Sequence, residues 1–456
     1  MRGRSQPVDT VTFDEQSVTR FGGLAVLQRW LGETGFKERL RRSLRGLVDP
    51  TAFGYPNLVL VLIVHYLWGW RRLSELDDYR DDPMLARTLG LRWLPSVSAL
   101  SRLDRAPAAI IERLRGFVRD GIVERIRASG LRRVTLDFDG TVQSTRRRAE
   151  GSAVGYNSHR KGERSYYPLL CTVAQLGEVF DVAHRPGNVH DSRGAAAFIS
   201  ACAEAVHGAM PGLSLEARLD SAFGHPAILE TLDDHGVAFT TGLHFTRSPQ
   251  IKEAVEARRR WHRLDAEADY FELPEHLRPN TWARTHRVIV VRQQVARREP
   301  GPIQLDLFEP VSTDYRYKAI VTNRGEAAAT VVAFHEGRGE QEGLIGELKR
   351  DCGVDIIPAK RLVANQIHLL ASVIAHNIAR ELQIAIDPRP ARNTIHRGAL
   401  WFCHELSTLR RQLLWQPARL IRPKGKLTLA LSDNEQVKMR FLRFWNALTG
   451  RQHATA

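Results

Sequence analysis

The run Val134-Thr135-Leu136-Asp137-Phe138-Asp139-Gly140-Thr141 constrains this chain more than any other. Apolar and β-branched residues lead into an alternating Asp-Phe-Asp, and Gly-Thr ends it, so a buried strand breaks where its carboxylates emerge. Side chains two apart share one face of a strand, which sends Asp137 and Asp139 out together from the end of a sheet. Adjacent carboxylates repel, and the usual remedies are a metal ion or a shared proton. An Asp capping a turn explains one of them but not the pair.

A chain of 456 residues has room for two or three domains around that strand. Its 43% hydrophobic and 26% charged residues match a globular protein. The net charge of +15 favours a polyanionic partner, nucleic acid before membrane. Cys171, Cys202, Cys352 and Cys403 lie far apart and form no CxxC pair, which argues against a zinc site or a disulfide scaffold and for a reducing cytoplasm. The N-terminus lacks the apolar stretch of a signal peptide. The apolar run Leu58 to Trp70 is shorter than the roughly 18 residues a membrane span needs, so it is expected as a core helix with Pro56 in its first turn.

In chain order, residues 1–130 are expected to be helical, with core helices at Phe21 to Leu31 and Leu58 to Trp70. The acidic turn from Asp77 to Pro83 is a solvated loop with capping carboxylates before it is a metal site. In Pro95 to Arg105, a Ser cap follows Pro, Leu100 and Leu103 share one side, and Arg102 and Arg105 lie on another. That pattern suits the second helix of a helix-turn-helix on DNA, and equally an ordinary amphipathic surface helix. After the opening strand, Tyr166 to Ala174 and Val179 to Ala183 form a hairpin, and the turn Arg185 to Ser192 leads into a helix over 193–207 capped by Asp191 or Ser192.

A further strand, Leu215 to Leu219, runs into Asp220, so a second apolar strand ends in a carboxylate. Helix 226–234 and strand Val237 to Thr241 follow, giving a mixed α/β sheet that Tyr317 to Thr322 rejoins. Residues 243–314 interrupt it with an Arg-rich helix (Arg258, Arg259, Arg260, Arg263) and a strand, Arg287 to Arg292. Trp261 and Trp282 there are expected as packing residues first and as surfaces for a flipped base second. Beyond residue 350 the chain returns to helices, Leu362 to Leu382 and Leu400 to Leu414. Arg410, Arg411, Arg419, Arg422, Lys424, Lys426 and Trp415 then compose a basic patch.

The segment Phe334 to Lys349 carries a third carboxylate. If it is helical, Arg338, Glu342, Ile345 and Lys349 fall on one stripe while Leu344 and Leu348 pack inward. Its four glycines each cost about 1 kcal/mol relative to Ala, so tertiary packing must hold the helix. Taken alone, Arg338 and Glu342 are an ordinary i,i+4 pair.

Taken together, these motifs resemble bacterial insertion-sequence transposases of the DDE class, specifically the group marked by a Tyr-x2-Arg-x3-Glu-x6-Lys signature. Arg338, Glu342 and Lys349 stand at the Arg, Glu and Lys places, while His335 stands where the signature has Tyr and Phe334 beside it offers an aromatic surface. The family's first Asp falls on Asp139 and its second on Asp220. The resemblance extends through Gly155-Tyr156-Asn157, Arg185-Pro186-Gly187-Asn188 and Ala364-Asn365-Gln366-Ile367-His368, and covers most of the chain from about 60 to 430.

The resemblance implies a ribonuclease H-like catalytic domain over 131–242 and 315–355 with an inserted subdomain over 243–314. The flanking regions would be helical, 1–130 for binding DNA ends and 356–456 basic. It further implies Asp139, Asp220 and Glu342 as catalytic metal ligands, with Asp137 in support, and Mg²⁺ as the cofactor with Mn²⁺ able to substitute. Arg338, Lys349, His335, Arg102 and Arg105 would meet DNA. The implied partners are terminal inverted repeats, target DNA and a second copy of the chain, in a bacterial cytoplasm and with no membrane.

Elementary chemistry agrees. Phosphodiester cleavage needs an activated hydroxyl and a neutralised leaving oxygen, which two Mg²⁺ ions roughly 3.5–4 Å apart on carboxylate oxygens supply. Two other readings stand beside this one. Asp137-Phe138-Asp139-Gly140-Thr141 also matches the first motif of haloacid-dehalogenase-like phosphatases, whose fold expects a helix soon after. The other is a DNA-binding relative that has lost catalysis.

Overall fold

A strand buried along both faces is an apolar run, and β1 (Arg133–Gly140), buried from Val134 to Phe138, is the middle of such a sheet. The computed structural model describes residues 8, 10–48, 52–155, 157, 160–190, 192–245, 249–279, 282–295, 312, 314–389 and 397–449; Tyr156 and Asp191 lie outside them. On one side, β1 pairs antiparallel with β2 (Leu169–Val173), which pairs antiparallel with β3 (Glu178–Ala183). On the other side, β4 (Ser214–Leu219) and then β5 (Ala238–Leu243) run parallel to it. A three-strand meander flanked by two parallel strands is the ribonuclease H-like arrangement. Helix α3 (Ala195–Ala209) precedes β4, and α4 (Pro226–Asp234) makes the β4-to-β5 crossover.

Beyond β5 the sheet continues. Strands β6 (His262–Arg263), β7 (Ala268–Glu272), β8 (Arg287–Gln294) and β9 (Tyr315–Thr322) give the order β6-β7-β8-β9-β5-β4-β1-β2-β3, nine strands among the described residues. The stretch between β5 and β9 therefore lengthens the same sheet. Its helix, Pro249–Ala257, stops before Arg258, and Arg263 lies in β6, so the expected Arg-rich helix does not form. Trp261 packs edge-on against Phe271 at 4.8 Å with the Arg292 guanidinium 4.5 Å over it, and Trp282 leans on His286 at 5.4 Å.

Helices that precede and follow the sheet in the chain share one apolar core with it. Helix α1 (Tyr55–Leu67), with Pro56 in its first turn, packs on α7 (Leu362–Ile386), and Tyr66 Oη bonds His368 Nδ1 at 2.7 Å. Helix α7 is long and apolar enough to cross a membrane by length and composition, but 83% of that window is buried inside the protein. Asn377 on α7 acts as a peptide group for edge strand β3, accepting from Val179 N at 3.0 Å and donating to Val179 O at 2.8 Å. Helix α2 (Ala109–Ala128) lies over the same strand, where Arg115 and Arg119 hold the buried Asp181 and Arg125 holds the buried Glu178. Part of the arginine excess is thus spent inside the molecule.

Three local expectations change, and that for the acidic turn stands. The segment after Pro95 forms one α turn, Val97–Leu100, capped by Ser96 and followed by a 3₁₀ turn, Ser101–Arg105. It ends at Ala106-Pro107, shorter than a recognition helix, with Arg102 and Arg105 exposed. Helix α3 is preceded by Gly194 in a left-handed conformation, not by a Ser192 cap. In the acidic turn, Asp82 alone has an internal role, accepting from Thr19 Oγ1 at 2.8 Å and Met84 N at 2.9 Å.

The third change is at the C-terminal side. No helix spans Leu400 to Glu405, because the chain here gives its N–H groups to other elements: Leu400 to Gln175 O, His404 to Gln383 Oε1 and, just beyond, Leu406 to Glu347 Oε1. Helix starts only at Leu406–Leu409 and passes into a π turn, Arg410–Leu414. Arg410 is 4% exposed and donates to the carbonyls of Tyr66, Leu67 and Asp351, so it leaves the basic patch. Ala418–Ile421 and Thr428–Leu431 are strands that close a small sheet with Val18–Thr19 from the other end of the chain, before α8 (Glu435–Thr449).

Candidate functional site

Parallel neighbours end at the same edge of a sheet, and this brings two of the carboxylates together. Asp139 is the penultimate residue of β1, its Oδ1 accepting from Gly140 N at 2.8 Å. Asp220 follows β4 directly and caps the turn Ser221–Phe223, its Oδ1 accepting from Ser221 N at 2.7 Å. The third comes from α6 (Gly339–Cys352), which follows α5 (Ala328–Glu336) after a break at Gly337-Arg338 and carries Glu342 in its first turn.

Arg338 ties the three together. Its Nη1 lies 3.5 Å from Asp139 Oδ2, and its Nη2 lies 3.8 Å from Asp220 Oδ1 and 3.1 Å from Glu342 Oε1. Asp139 is 20% exposed, Asp220 48% and Glu342 64%, so the cluster opens to solvent on the Glu342 side. Among the described residues no three His, Cys, Asp or Glu side chains lie together closely enough to hold an ion, and the Arg338 guanidinium lies among these three carboxylates. Lys349, half-buried on the same stripe of α6, has its ammonium pKa lowered by burial against the opposing pull of Asp355 and Asp139.

Asp137 has a different fate. It is 1% exposed and forms a two-pronged pair with Arg218, its parallel neighbour in register, at 2.5 Å (Nε to Oδ1) and 2.7 Å (Nη2 to Oδ2). Burial raises the Asp137 carboxyl pKa against the pull of Arg218. Gln341 on α6 donates to Asp137 O at 2.8 Å, and Arg218 reaches Phe334 O at 3.3 Å. Asp137 thus joins β1, β4, α5 and α6 beneath the open cluster, and no substrate phosphorus reaches it. The phosphatase reading fails on this burial and on the strand Gln143–Thr145 that stands where its helix should.

The helix pair α5–α6 rests on more buried charge. Glu216 takes Arg324 at 2.9 Å and Arg397 at 3.1 Å, and the guanidinium groups of Arg324 and Arg218 lie 4.1 and 5.4 Å from the centre of the Phe334 ring. Phe334 is 1% exposed, so it offers no aromatic surface to DNA. His335, half-buried, bonds Thr240 Oγ1 through Nδ1 at 3.1 Å. Burial first, then the charges of Lys318, Arg338 and Arg218, hold its pKa at about 3. Arg218 and Gln341 belong to no motif. The signal in the sequence is Glu216 and Arg218, two charges at strand spacing inside an apolar run.

Asp137→Asn leaves a buried guanidinium with half of its partner. The expected cost is about 3–5 kcal/mol of folding stability, read by denaturant unfolding. A cost below about 1 kcal/mol, the size of a surface pair, would contradict this account.

Gly242 in β5 positions Asp220. A Cβ there would lie 2.8 Å from Ser221 Cβ and 2.9 Å from Ser221 Cα, so any side chain pushes the Asp220-Ser221 turn away from β1. In a reaction that uses Asp220, Gly242→Ala is expected to cost about 10²-fold in rate, the scale of a 1 Å misplacement; an unchanged rate would show the turn to be uncritical.

A family model described as "Transposase DDE domain group 1" matches residues 3–452, nearly the whole chain. The comparison with curated proteins gives no match. Among solved structures, the chain is similar to the cryo-EM structure of a piggyBac transposase synaptic complex with hairpin DNA, at 11% identity and a TM-score of 0.40, covering 96% of this chain and 84% of that one. The span of the family match settles the affiliation: this chain belongs to the DDE-domain transposases.

Proposed function

We propose that the protein is an active transposase that cleaves DNA at the ends of its own element and joins those ends to target DNA, with Asp139, Asp220 and Glu342 as the ligands of divalent magnesium. The observation that carries this is the meeting of three carboxylates from β1, β4 and α6 around one cation at a partly exposed position. The donor set fits the ion: three carboxylates, all oxygen, which suits Mg²⁺ and admits Mn²⁺. When bound, a pair of such ions supplies an activated hydroxyl and a neutralised leaving oxygen.

The protein's own residues do the rest. Asp139, Asp220 and Glu342 would together supply the carboxylate oxygens that hold the metal. Arg338 and Lys349 meet phosphates beside the scissile bond. Arg102 and Arg105, exposed on the N-terminal region, contact the backbone of the element's end, a double-stranded inverted repeat. His335 supports the site through Thr240, and two copies of the chain pair the ends.

The test is a supercoiled plasmid bearing the element, incubated with the full chain. Nicking and joined product in Mg²⁺ or Mn²⁺, and neither in EDTA, is expected. Binding without nicking in either metal would identify a DNA-binding relative that has lost catalysis.

A further inference from the structure

Arg338 is placed where it cannot stay if metal ions bind. Its guanidinium is 15% exposed and spans all three carboxylates, at 3.5, 3.8 and 3.1 Å. In the metal-free chain it is therefore the counter-ion that lets three like charges coexist. A divalent ion on the same oxygens repels a guanidinium a few ångströms away and takes its acceptors, since two like charges at such range repel strongly wherever water is partly excluded. Arg338 begins the chain turn before α6, and Glu342 on its outer side is 64% exposed, so the freed side chain has solvent to swing into.

We infer that Arg338 couples the two ligands of the reaction: metal binding expels its guanidinium from the carboxylates, and only then is its planar fork of donors free to grip a DNA phosphate. The inference rests on the reading of the triad as a metal site. It makes Arg338 a DNA-binding residue that also orders assembly, and linkage requires the effect to run both ways, with DNA tightening metal by the factor by which metal tightens DNA. Without Arg338 the carboxylates are a stronger metal site, because nothing has to be displaced, and DNA no longer responds to the metal.

Calcium, which binds such oxygen sites but supports little chemistry, makes the test one of binding. Titration calorimetry of Ca²⁺ into the full chain, without DNA, is compared for wild type and Arg338→Gln, and the affinity of each for a short labelled duplex is measured by fluorescence anisotropy in Ca²⁺ and in EDTA. Arg338→Gln is expected to bind Ca²⁺ about tenfold tighter than wild type, a coupling of ordinary size. Wild type should hold the duplex about tenfold tighter in Ca²⁺ than in EDTA, and Arg338→Gln should show a difference of less than about twofold. Thermal unfolding in EDTA confirms that the variant folds. If Arg338→Gln binds Ca²⁺ no tighter than wild type, the coupling is wrong while the metal site stands; if neither chain binds Ca²⁺ or Mn²⁺, the metal site falls and this inference with it.

Discussion

Asp139→Asn is expected to cut element-end DNA on the order of 10³-fold more slowly than wild type while folding normally. Asn keeps the oxygen that accepts from Gly140 N but removes the charge that faces Arg338 and would face a metal. Because three carboxylates crowd one guanidinium, losing one negative charge costs the fold little, and thermal unfolding should stay within about 1 kcal/mol of wild type. Asp220→Asn and Glu342→Gln should fall in the same range, since ligands of one site fail together and not additively. The measurement is single-turnover nicking of a labelled end duplex in Mg²⁺. An Asp139→Asn chain that keeps a tenth of wild-type rate would remove Asp139 from the site.

The second large effect is on stability in acid. His65 and His368 are buried, at 1% and 4% exposed, and each shares a short hydrogen bond at Nδ1 with a tyrosine hydroxyl: Tyr79 at 2.6 Å and Tyr66 at 2.7 Å. Burial, reinforced for His368 by the neighbouring His65, lowers both to about 3 from an ordinary 6.5. In the folded chain these rings refuse a proton that the unfolded chain accepts below pH 6.5. Stability is therefore fully present above pH 6.5 and is lost as pH falls toward 3. The pair alone costs about 5 kcal/mol by about pH 4.5, at about 1.4 kcal/mol per histidine per pH unit. His184, also held at about 3 by burial, adds to the loss. Calorimetric unfolding from about pH 7.5 down to about 4.5 should show the melting temperature dropping steeply below pH 6.5. His368→Gln keeps an acceptor but cannot titrate, and should flatten that drop; an unchanged slope would mean that the acid sensitivity lies elsewhere.

What could be seen in advance follows the reach of each signal. Strand β1, the Asp at the end of β4 and the stripe Arg338-Glu342-Lys349 are local patterns, and periodicity alone exposes them. The meeting of their carboxylates depends on parallel pairing of β1 with β4, which the alternation of strands and helices implies. The fate of Asp137 is a different matter. Its spacing from Asp139 says that both share a face, but only the register Asp137 to Arg218 decides that one of them is consumed by a partner 81 positions later. The strap Leu400 to Glu405 leads into leucines at helical spacing, yet the amides of Leu400, His404 and Leu406 are taken by Gln175, Gln383 and Glu347, and no window around the strap contains those competitors. The Arg258–Arg263 run misleads for the same reason: exposed arginines suit a helix, but β6 pairs with β7 and takes the end of that run.

The pairing of Val18–Thr19 with Ala418–Ile421 has a consequence for biosynthesis. One edge of the small sheet leaves the ribosome long before its middle strand, so this layer cannot close while the polypeptide between them is still being translated. Phe21, just after the early strand, waits with it beside Trp68, Trp70 and Tyr79. Val18–Thr19 therefore gains this partner only once Ala418–Ile421 has emerged, and a transcript truncated before the codon for Ala418 leaves that strand without it.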